Sequence, residues 1–173
     1  MRRRGYGGFT LVELMIVVVI IGVLAVLAIT GYRKYTYAAR NAEAVQFLGG
    51  VRAAQQAYFE AFGRYCGDPD PDAWPPRMPT METGKEMWQQ NGQPIPANNA
   101  WSALGIQSPG RVWFQYSIAA GGPNDPDESG AISQRNRDWF WAQANGDFNN
   151  DGVHSTFEVT SEKPDVFIAN ENE

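Results

Sequence analysis

The chain has 173 residues, 43% of them hydrophobic, which is enough for one ordinary globular domain with an appendage and too few for two large domains. The formal net charge is −5, and it becomes −8 when the three arginines Arg2 to Arg4 are set aside. An acidic body lacks the clustered cations that neutralise phosphates, so no nucleic-acid groove is predicted. Cys66 is the only cysteine, which excludes an intrachain disulfide.

The first predicted element is a membrane-spanning helix. From Leu14 to Ile29 every residue is apolar or Gly, and the run extends back to Phe9 with only Thr10 and Glu13 interrupting it. About 20 residues at 1.5 Å each match a hydrocarbon core of roughly 30 Å. The preceding arginines are expected to stay in the cytoplasm, so we predict a single pass over residues 9–31 with the C-terminal part outside.

Glu13 is the residue that a plain membrane anchor does not explain. An ionised carboxylate inside a transmembrane helix costs about 2.5 to 3.5 kcal/mol on insertion scales, so it is a functional candidate that needs a cation. An ordinary cleaved signal peptide would have a shorter apolar region, ending in a small-residue cleavage site. A signal anchor accounts for the length and the arginines, but it leaves Glu13 without a role.

The stretch Gly7-Gly8-Phe9-Thr10-Leu11-Val12-Glu13-Leu14 resembles the signature of type IV prepilins. The resemblance implies that residues 1–8 are a leader, which prepilin peptidase removes by cutting between Gly8 and Phe9. It also implies N-methylation of Phe9 and an assembly salt bridge, in which Glu13 pairs with the N-terminal amine of a neighbouring subunit. Opposite charges are costly apart in a low-dielectric setting and tolerable together, which agrees with that role.

Residues 32–62 are predicted to form the amphipathic helix of the globular domain. Apolar residues recur there mostly three or four positions apart: Tyr35, Ala38, Ala42, Val45, Leu48, Val51, Tyr58 and Phe62. One helix could therefore run from about Phe9 to Phe62. Many pilins carry a proline near the membrane exit, whereas this chain has Thr30-Gly31 there.

Residues 63–110 are predicted to be a connecting loop region, because prolines crowd positions 67 to 96. Short helical turns are expected over 83–90 and 100–104. The region 111–173 is rich in β-formers at 111–119, 138–144 and 155–160, which predicts three or four antiparallel strands. The predicted fold class is α+β, a long N-terminal helix packed against a small antiparallel sheet, and it resembles the pilin fold. The acidic group at Asp125, Asp127 and Glu128 is interpreted as a solvated loop.

The segment from Gly146 to Glu158 matches the pattern D-x-[DN]-x-[DN]-G-x5-E, whose alternating oxygens wrap a calcium ion. That template takes its ligands from Asp147, Asn149, Asp151, Val153, Ser155 and Glu158. The flanks are predicted strands, so a helix-loop-helix site is not expected. A bare hairpin turn remains the alternative, since Asn150-Asp151-Gly152 satisfies turn geometry unaided. Some related pilins and pseudopilins place calcium in this region, so structural Ca2+ is retained as an expectation.

The function predicted from these features is that of a structural subunit of a type IV pilus, polymerised through its N-terminal helix for adhesion or motility. Its expected partners are other pilin subunits, prepilin peptidase and the inner-membrane assembly machinery, and its final location is an extracellular pilus. No enzyme is predicted, because His154 is the only histidine and no catalytic motif accompanies the carboxylates. A type II secretion pseudopilin, a minor pilin and a membrane-anchored extracytoplasmic binding module remain alternatives.

Overall fold

The computed structural model describes residues 8–76, 78–80, 83–88, 99–108 and 110–170. Most of the predicted leader, residues 1–7, lies outside this range. The elements in chain order are α1 (Leu11–Phe62), β1 (Asp72–Trp74), β2 (Glu86–Met87), α2 (Ala100–Ala103), β3 (Arg111–Val112), β4 (Gln115–Gly121), β5 (Trp139–Gly146), β6 (Ser155–Thr160) and β7 (Phe167–Ala169). The chain divides into two compact units, residues 1–39 and residues 40–173.

The N-terminal unit contains the first part of α1, and from Leu14 to Ile29 its side chains are apolar on every side of the helix. The large hydrophobic residues from Phe9 to Ile29 are between 48% and 85% exposed. Within the described residues, α1 is the helix that is long and apolar enough to cross a membrane, and its most apolar stretch is entirely unburied. A helix that is hydrophobic all round needs burial in lipid or in other protein.

The C-terminal unit packs the remainder of α1 against an antiparallel sheet, which confirms the predicted α+β class. The strand order is β1-β4-β5-β6-β7, and β2 and β3 form a separate two-stranded ladder. The Phe47 ring lies 4.0 Å from that of Tyr116 on β4, measured between centroids. Tyr116, Leu48 and Val51 are fully buried there, so the core lies between this part of α1 and the sheet.

The predicted apolar stripe of α1 is partly wrong. Five of its eight residues are exposed: Tyr35, Ala38, Ala42, Val45 and Phe62. The residues that α1 buries are Asn41, Ala44, Leu48, Val51 and Gln55. The spacing of three and four holds, but the face is rotated. The buried face includes two polar residues, Asn41 and Gln55. A pattern built from apolar residues alone does not include them.

The loop predicted over residues 63–110 also requires correction, because β1, β2 and α2 all lie within it. β1 pairs with β4 through Asp72↔Ile118 and Trp74↔Tyr116, which extends the sheet to five strands. Pro71 and Pro75 flank β1, and prolines are tolerated at the ends of an edge strand. A strand, β2, stands where the first helical turn was predicted. The second turn is confirmed as α2, which Asn99 caps by accepting a hydrogen bond from the Trp101 amide.

The opposite face of the sheet is covered in part by the β4–β5 connection. Trp139, Trp141 and Ala119 are buried there together with Ile132 of that connection. Asp127 is buried and accepts hydrogen bonds from the Ser129 amide, the Ser129 hydroxyl and the Ile132 amide. The interpretation of this acidic group as a solvated loop is therefore wrong for Asp127, which holds the connection in shape.

Candidate functional site

The predicted processing site lies at the start of the described chain, immediately before α1. The Phe9 side chain is 85% exposed. A Cβ added at Gly8 would meet no atom within 4 Å. The described residues therefore leave the Gly8-Phe9 peptide bond uncovered in the single chain, which is the condition that a peptidase needs.

Glu13 forms a reciprocal capping box with Thr10 at the beginning of α1. Glu13 Oε2 accepts hydrogen bonds from the Thr10 amide at 2.9 Å and the Thr10 hydroxyl at 2.8 Å. The Glu13 amide donates back to Thr10 Oγ1 at 3.2 Å. Each residue thus satisfies an amide that the first helical turn leaves without an intrahelical acceptor.

Thr10 is the functional neighbour that the sequence reasoning missed. The signal was present, because Thr-x-x-Glu before an apolar run is the pattern of a capping box. Its consequence is that the Glu13 carboxylate is already hydrogen-bonded in a single chain. The carboxylate is also exposed, so it can accept a cation from outside the chain.

The loop between β5 and β6 brings together three of the six predicted calcium ligands. Asp147 is buried, and it accepts hydrogen bonds from the Asn150 amide at 2.7 Å and the Gly152 amide at 3.1 Å. Asn149 and Asp151 bond to each other, through Asn149 Nδ2 to Asp151 Oδ2 at 2.9 Å and the Asp151 amide to Asn149 Oδ1 at 3.0 Å. The turn is therefore closed by its own side chains.

The Val153 amide donates to Asp151 Oδ1 at 2.7 Å and so stays with the turn. The last two predicted ligands, Ser155 and Glu158, have partners elsewhere. The Ser155 hydroxyl donates to the Asn170 carbonyl at 2.9 Å. Glu158 lies on β6, where its Oε2 accepts a hydrogen bond from Gln143 at 2.7 Å. Among the described residues, no group of three or more His, Cys, Asp or Glu side chains is arranged to hold a metal. The first half of the predicted loop fits a calcium ion by its donor chemistry, and the second half does not in this arrangement.

Cys66 follows the end of α1 and borders a polar cleft of about 190 Å³ lined by Tyr58, Arg64, Asp72 and Asn99, among others. The thiol is buried, and this burial raises its pKa, although the Tyr58 hydroxyl and the Arg64 cation act in the opposite sense. A buried thiol with a raised pKa is a weak nucleophile at neutral pH. Cys66 therefore has the character of a core residue.

Comparison with known proteins bears on the N-terminal segment. A family model described as the prokaryotic N-terminal methylation motif matches residues 3–29. The resemblance to type IV pilins is confirmed over this segment. The pilin-like segment thus includes Gly8 and Phe9 of the predicted processing site and Thr10 and Glu13 of the capping box.

Curated relatives carry names from the same family. A fimbrial protein of Neisseria meningitidis serogroup B is 41% identical over 61 residues, which is 35% of this chain and 36% of that protein. A type IV major pilin of Neisseria gonorrhoeae is 41% identical over 58 residues, covering 34% and 35%. A type IV major pilin of Myxococcus xanthus is 45% identical over 58 residues, covering 34% and 26%.

The similarity is partial in length. This chain matches about a third of the length of the first two relatives, so their names describe proteins that are mostly outside the match. No solved structure matches the chain. The C-terminal unit is therefore interpreted from its own residues.

Proposed function

We propose that this chain is a structural subunit of a type IV pilus. Prepilin peptidase cuts the precursor between Gly8 and Phe9, and Phe9 is then N-methylated. The subunit waits in the inner membrane as a single-pass protein with its C-terminal unit outside the cytoplasm. The assembly machinery then polymerises it through α1 into an extracellular filament that serves adhesion or motility. The role is structural rather than catalytic.

One observation supports this proposal most strongly: the methylation-motif match falls on the first part of α1, where every residue from 11 to 29 is exposed. Burial of apolar surface stabilises by roughly 25 cal/mol per Å², so the exposed side chains from Leu11 to Ile29 strongly favour lipid or protein surroundings. Lipid provides apolar surroundings before assembly, and the corresponding helices of other subunits provide apolar surroundings in a filament. The same surface therefore suits both stages of a pilin.

The proposed partner of Glu13 in the filament is the N-terminal amine of Phe9 in a neighbouring copy. In the single chain Oε2 of the Glu13 carboxylate accepts hydrogen bonds from Thr10. On assembly the Glu13 carboxylate pairs with the Phe9 amine of the neighbouring copy, either in place of Thr10 or in addition to it. This pairing removes the cost of an isolated charge in a low-dielectric bundle. The capping box thereby keeps Glu13 compatible with the membrane until a partner arrives.

The substitution Glu13→Gln removes the negative charge of residue 13 and keeps its helix-capping role, so it tests the charge alone. Glutamine at this helix position can still accept from the Thr10 amide, but it carries no charge to pair with an amine. We expect Glu13→Gln to insert into the membrane normally and to be depleted from sheared filaments. The matched variant Thr10→Ala loses the capping hydroxyl and keeps the carboxylate, so it should still assemble. Wild-type amounts of Glu13→Gln subunits in filaments would contradict the assembly role.

The same shearing experiment bears on the pseudopilin and minor-pilin alternatives. A major subunit should dominate the mass of the sheared filaments, because each filament contains it throughout its length. A pseudopilin or minor pilin should be scarce in that fraction. Quantitative mass spectrometry of the filaments distinguishes these cases.

We also propose calcium as a structural ligand of the β5–β6 loop, through Asp147, Asn149 and Asp151. When bound, a calcium ion would link these oxygens and restrain the loop. Saturation with a ligand at 100 times its Kd stabilises a fold by about 2.7 kcal/mol, so added calcium should raise the melting temperature. The substitution Asp151→Ala should abolish this increase. Equal melting temperatures with calcium and with chelator would refute the proposal.

A further inference from the structure

The helix residues that immediately follow the apolar run form a ring of aromatic and cationic side chains. They are Tyr32, Arg33, Lys34 and Tyr35, hereafter the belt. Tyr32 is 70% exposed and Tyr35 is 73% exposed, and the two cations between them are exposed as well. From the geometry of this ring we infer that the belt binds the phosphate headgroups of anionic lipids at one face of the bilayer. The inference rests on the proposed membrane stage of the subunit.

The belt lies at the distance along the helix where a headgroup layer is expected. Leu11 to Ile29 spans about 28 Å at 1.5 Å per residue, close to a hydrocarbon core of roughly 30 Å. Tyr32 follows three residues later, about 4.5 Å further along the axis. Headgroup layers add several ångströms on each side of the core, so the belt falls within one of them when the apolar run fills the core.

The four side chains of the belt are distributed around the helix. Four consecutive residues are 100° apart on an α-helix, so their side chains point in four directions that together surround most of its circumference. Tyr32 and Tyr35 are three apart and share one side of the helix, but Arg33 and Lys34 point to other sides, whereas a surface for one protein partner would keep its side chains on a single side. A ring matches an environment that is the same in all directions, which is what a headgroup layer offers.

The side chains of the belt have the chemistry of a membrane interface. Tyrosine is enriched at membrane interfaces because its ring is apolar and its hydroxyl is polar. Arginine and lysine extend toward lipid phosphates while their aliphatic stems stay near the hydrocarbon. No acidic residue lies between Glu13 and Glu43, so no carboxylate in that stretch of sequence competes with phosphate for the two cations.

The threonines on both sides of the belt are compatible with this depth. The Thr30 hydroxyl donates to the Leu27 carbonyl at 2.9 Å, and the Thr36 hydroxyl donates to the Arg33 carbonyl at 2.7 Å. A hydroxyl that is satisfied inside its own helix can lie at the edge of the hydrocarbon without a lost hydrogen bond.

The test measures lipid preference around the full chain in bilayers. Spin-labelled phosphatidylglycerol and phosphatidylcholine report the relative association of each lipid with the protein. We expect the wild-type chain to prefer phosphatidylglycerol and Arg33→Gln/Lys34→Gln to reduce that preference by roughly two- to fivefold. The control Arg135→Gln/Arg137→Gln removes the same charge from exposed residues of the C-terminal unit and should leave the preference unchanged. Arg2 to Arg4 are common to all three chains and do not affect the comparison.

A depth measurement provides a second readout. A spin label at Gly31→Cys, in a Cys66→Ser background, lies next to the belt, and a Cβ at Gly31 meets no atom within 4 Å. Its relative accessibility to oxygen and to a water-soluble nickel chelate should place it at the headgroup boundary. A label in bulk water, or one near the bilayer centre, would overturn the inference.

The outcomes also separate the belt from the proposed function. An inserted chain in which both double variants show the wild-type lipid preference would refute the belt and leave the pilin proposal intact. Shielding of the label that grows with protein concentration would mean that a second copy covers the belt, which also refutes lipid binding. A chain that does not insert into bilayers at all would refute the membrane stage, and the proposed function with it.

Discussion

Gln55 joins α1 to the turn that follows it, and replacing it tests how the C-terminal unit is held together. Its side chain is fully buried. Gln55 Nε2 donates to the Cys66 carbonyl at 2.6 Å, and the Cys66 amide donates to Gln55 Oε1 at 2.8 Å. The amide group therefore pairs with the Cys66 backbone as a neighbouring strand would, and it fixes the chain as it leaves the helix.

The substitution Gln55→Met keeps the length of the side chain and removes both hydrogen bonds. It leaves the Cys66 amide and carbonyl without their partner, and each unsatisfied buried group costs about 1 to 3 kcal/mol. We expect a loss of roughly 3 kcal/mol or more from a total unfolding free energy that is typically 5 to 15 kcal/mol. The corresponding fall in melting temperature is on the order of 10 °C for a unit of this size.

The assay is thermal or denaturant unfolding followed by tryptophan fluorescence in mild detergent. All six tryptophans lie beyond residue 39, so the signal reports the C-terminal unit alone. The exposed neighbour offers a matched control, since Gln56→Met should change stability by no more than about 0.5 kcal/mol. If Gln55→Met were as stable as Gln56→Met, the assigned role of this hydrogen-bond pair would be refuted.

Three further substitutions or titrations test the C-terminal unit. A Cβ at Gly121 would lie 2.5 Å from Cζ2 of Trp139, so Gly121→Ala should lower the free energy of unfolding by about 1 to 3 kcal/mol. The control Gly122→Ala, whose added Cβ has its nearest contact at 3.5 Å, should leave the free energy of unfolding nearly unchanged. The Asp127→Ala variant should make the β4–β5 connection susceptible to limited proteolysis, and an unchanged digestion pattern would count against its anchoring role. Folding raises the pKa of the Cys66 thiol, so the protonated thiol contributes fully to stability below its ordinary pKa of 9.0, and this contribution declines as the pH rises above 9.0. Iodoacetamide should therefore alkylate Cys66 more slowly in the native chain than in the unfolded chain. Equal alkylation rates would contradict the raised pKa.

The features that sequence analysis predicted well are local. The uninterrupted apolar run predicted the first half of α1, and the turn predicted over 100–104 is α2, after which Gly105 has a positive φ of 66°. The β-rich segments at 111–119, 138–144 and 155–160 correspond to β3 and β4, β5 and β6. The first of these breaks at Trp113, whose amide donates to Glu43 on α1 at 2.7 Å, and a partner so distant in sequence leaves no local signal.

The features that sequence analysis missed depend on which residues meet across the fold. β1 is three residues long between prolines, and it is a strand because β4 lies beside it. Gln55 is buried because the Cys66 backbone satisfies its amide, which no hydropathy pattern can reveal. At the assembly site, Glu13 was predicted from its cost in a membrane, while Thr10 was overlooked although its spacing from Glu13 is that of a capping box.

The central claim concerns the N-terminus, and intact-protein and peptide mass spectrometry of the chain produced in a host with type IV pili tests it most directly. We expect that the mature chain begins at Phe9, that its amine is methylated, and that this form is recovered from sheared filaments. A chain that keeps its leader in the membrane fraction and is missing from the filaments would contradict the account.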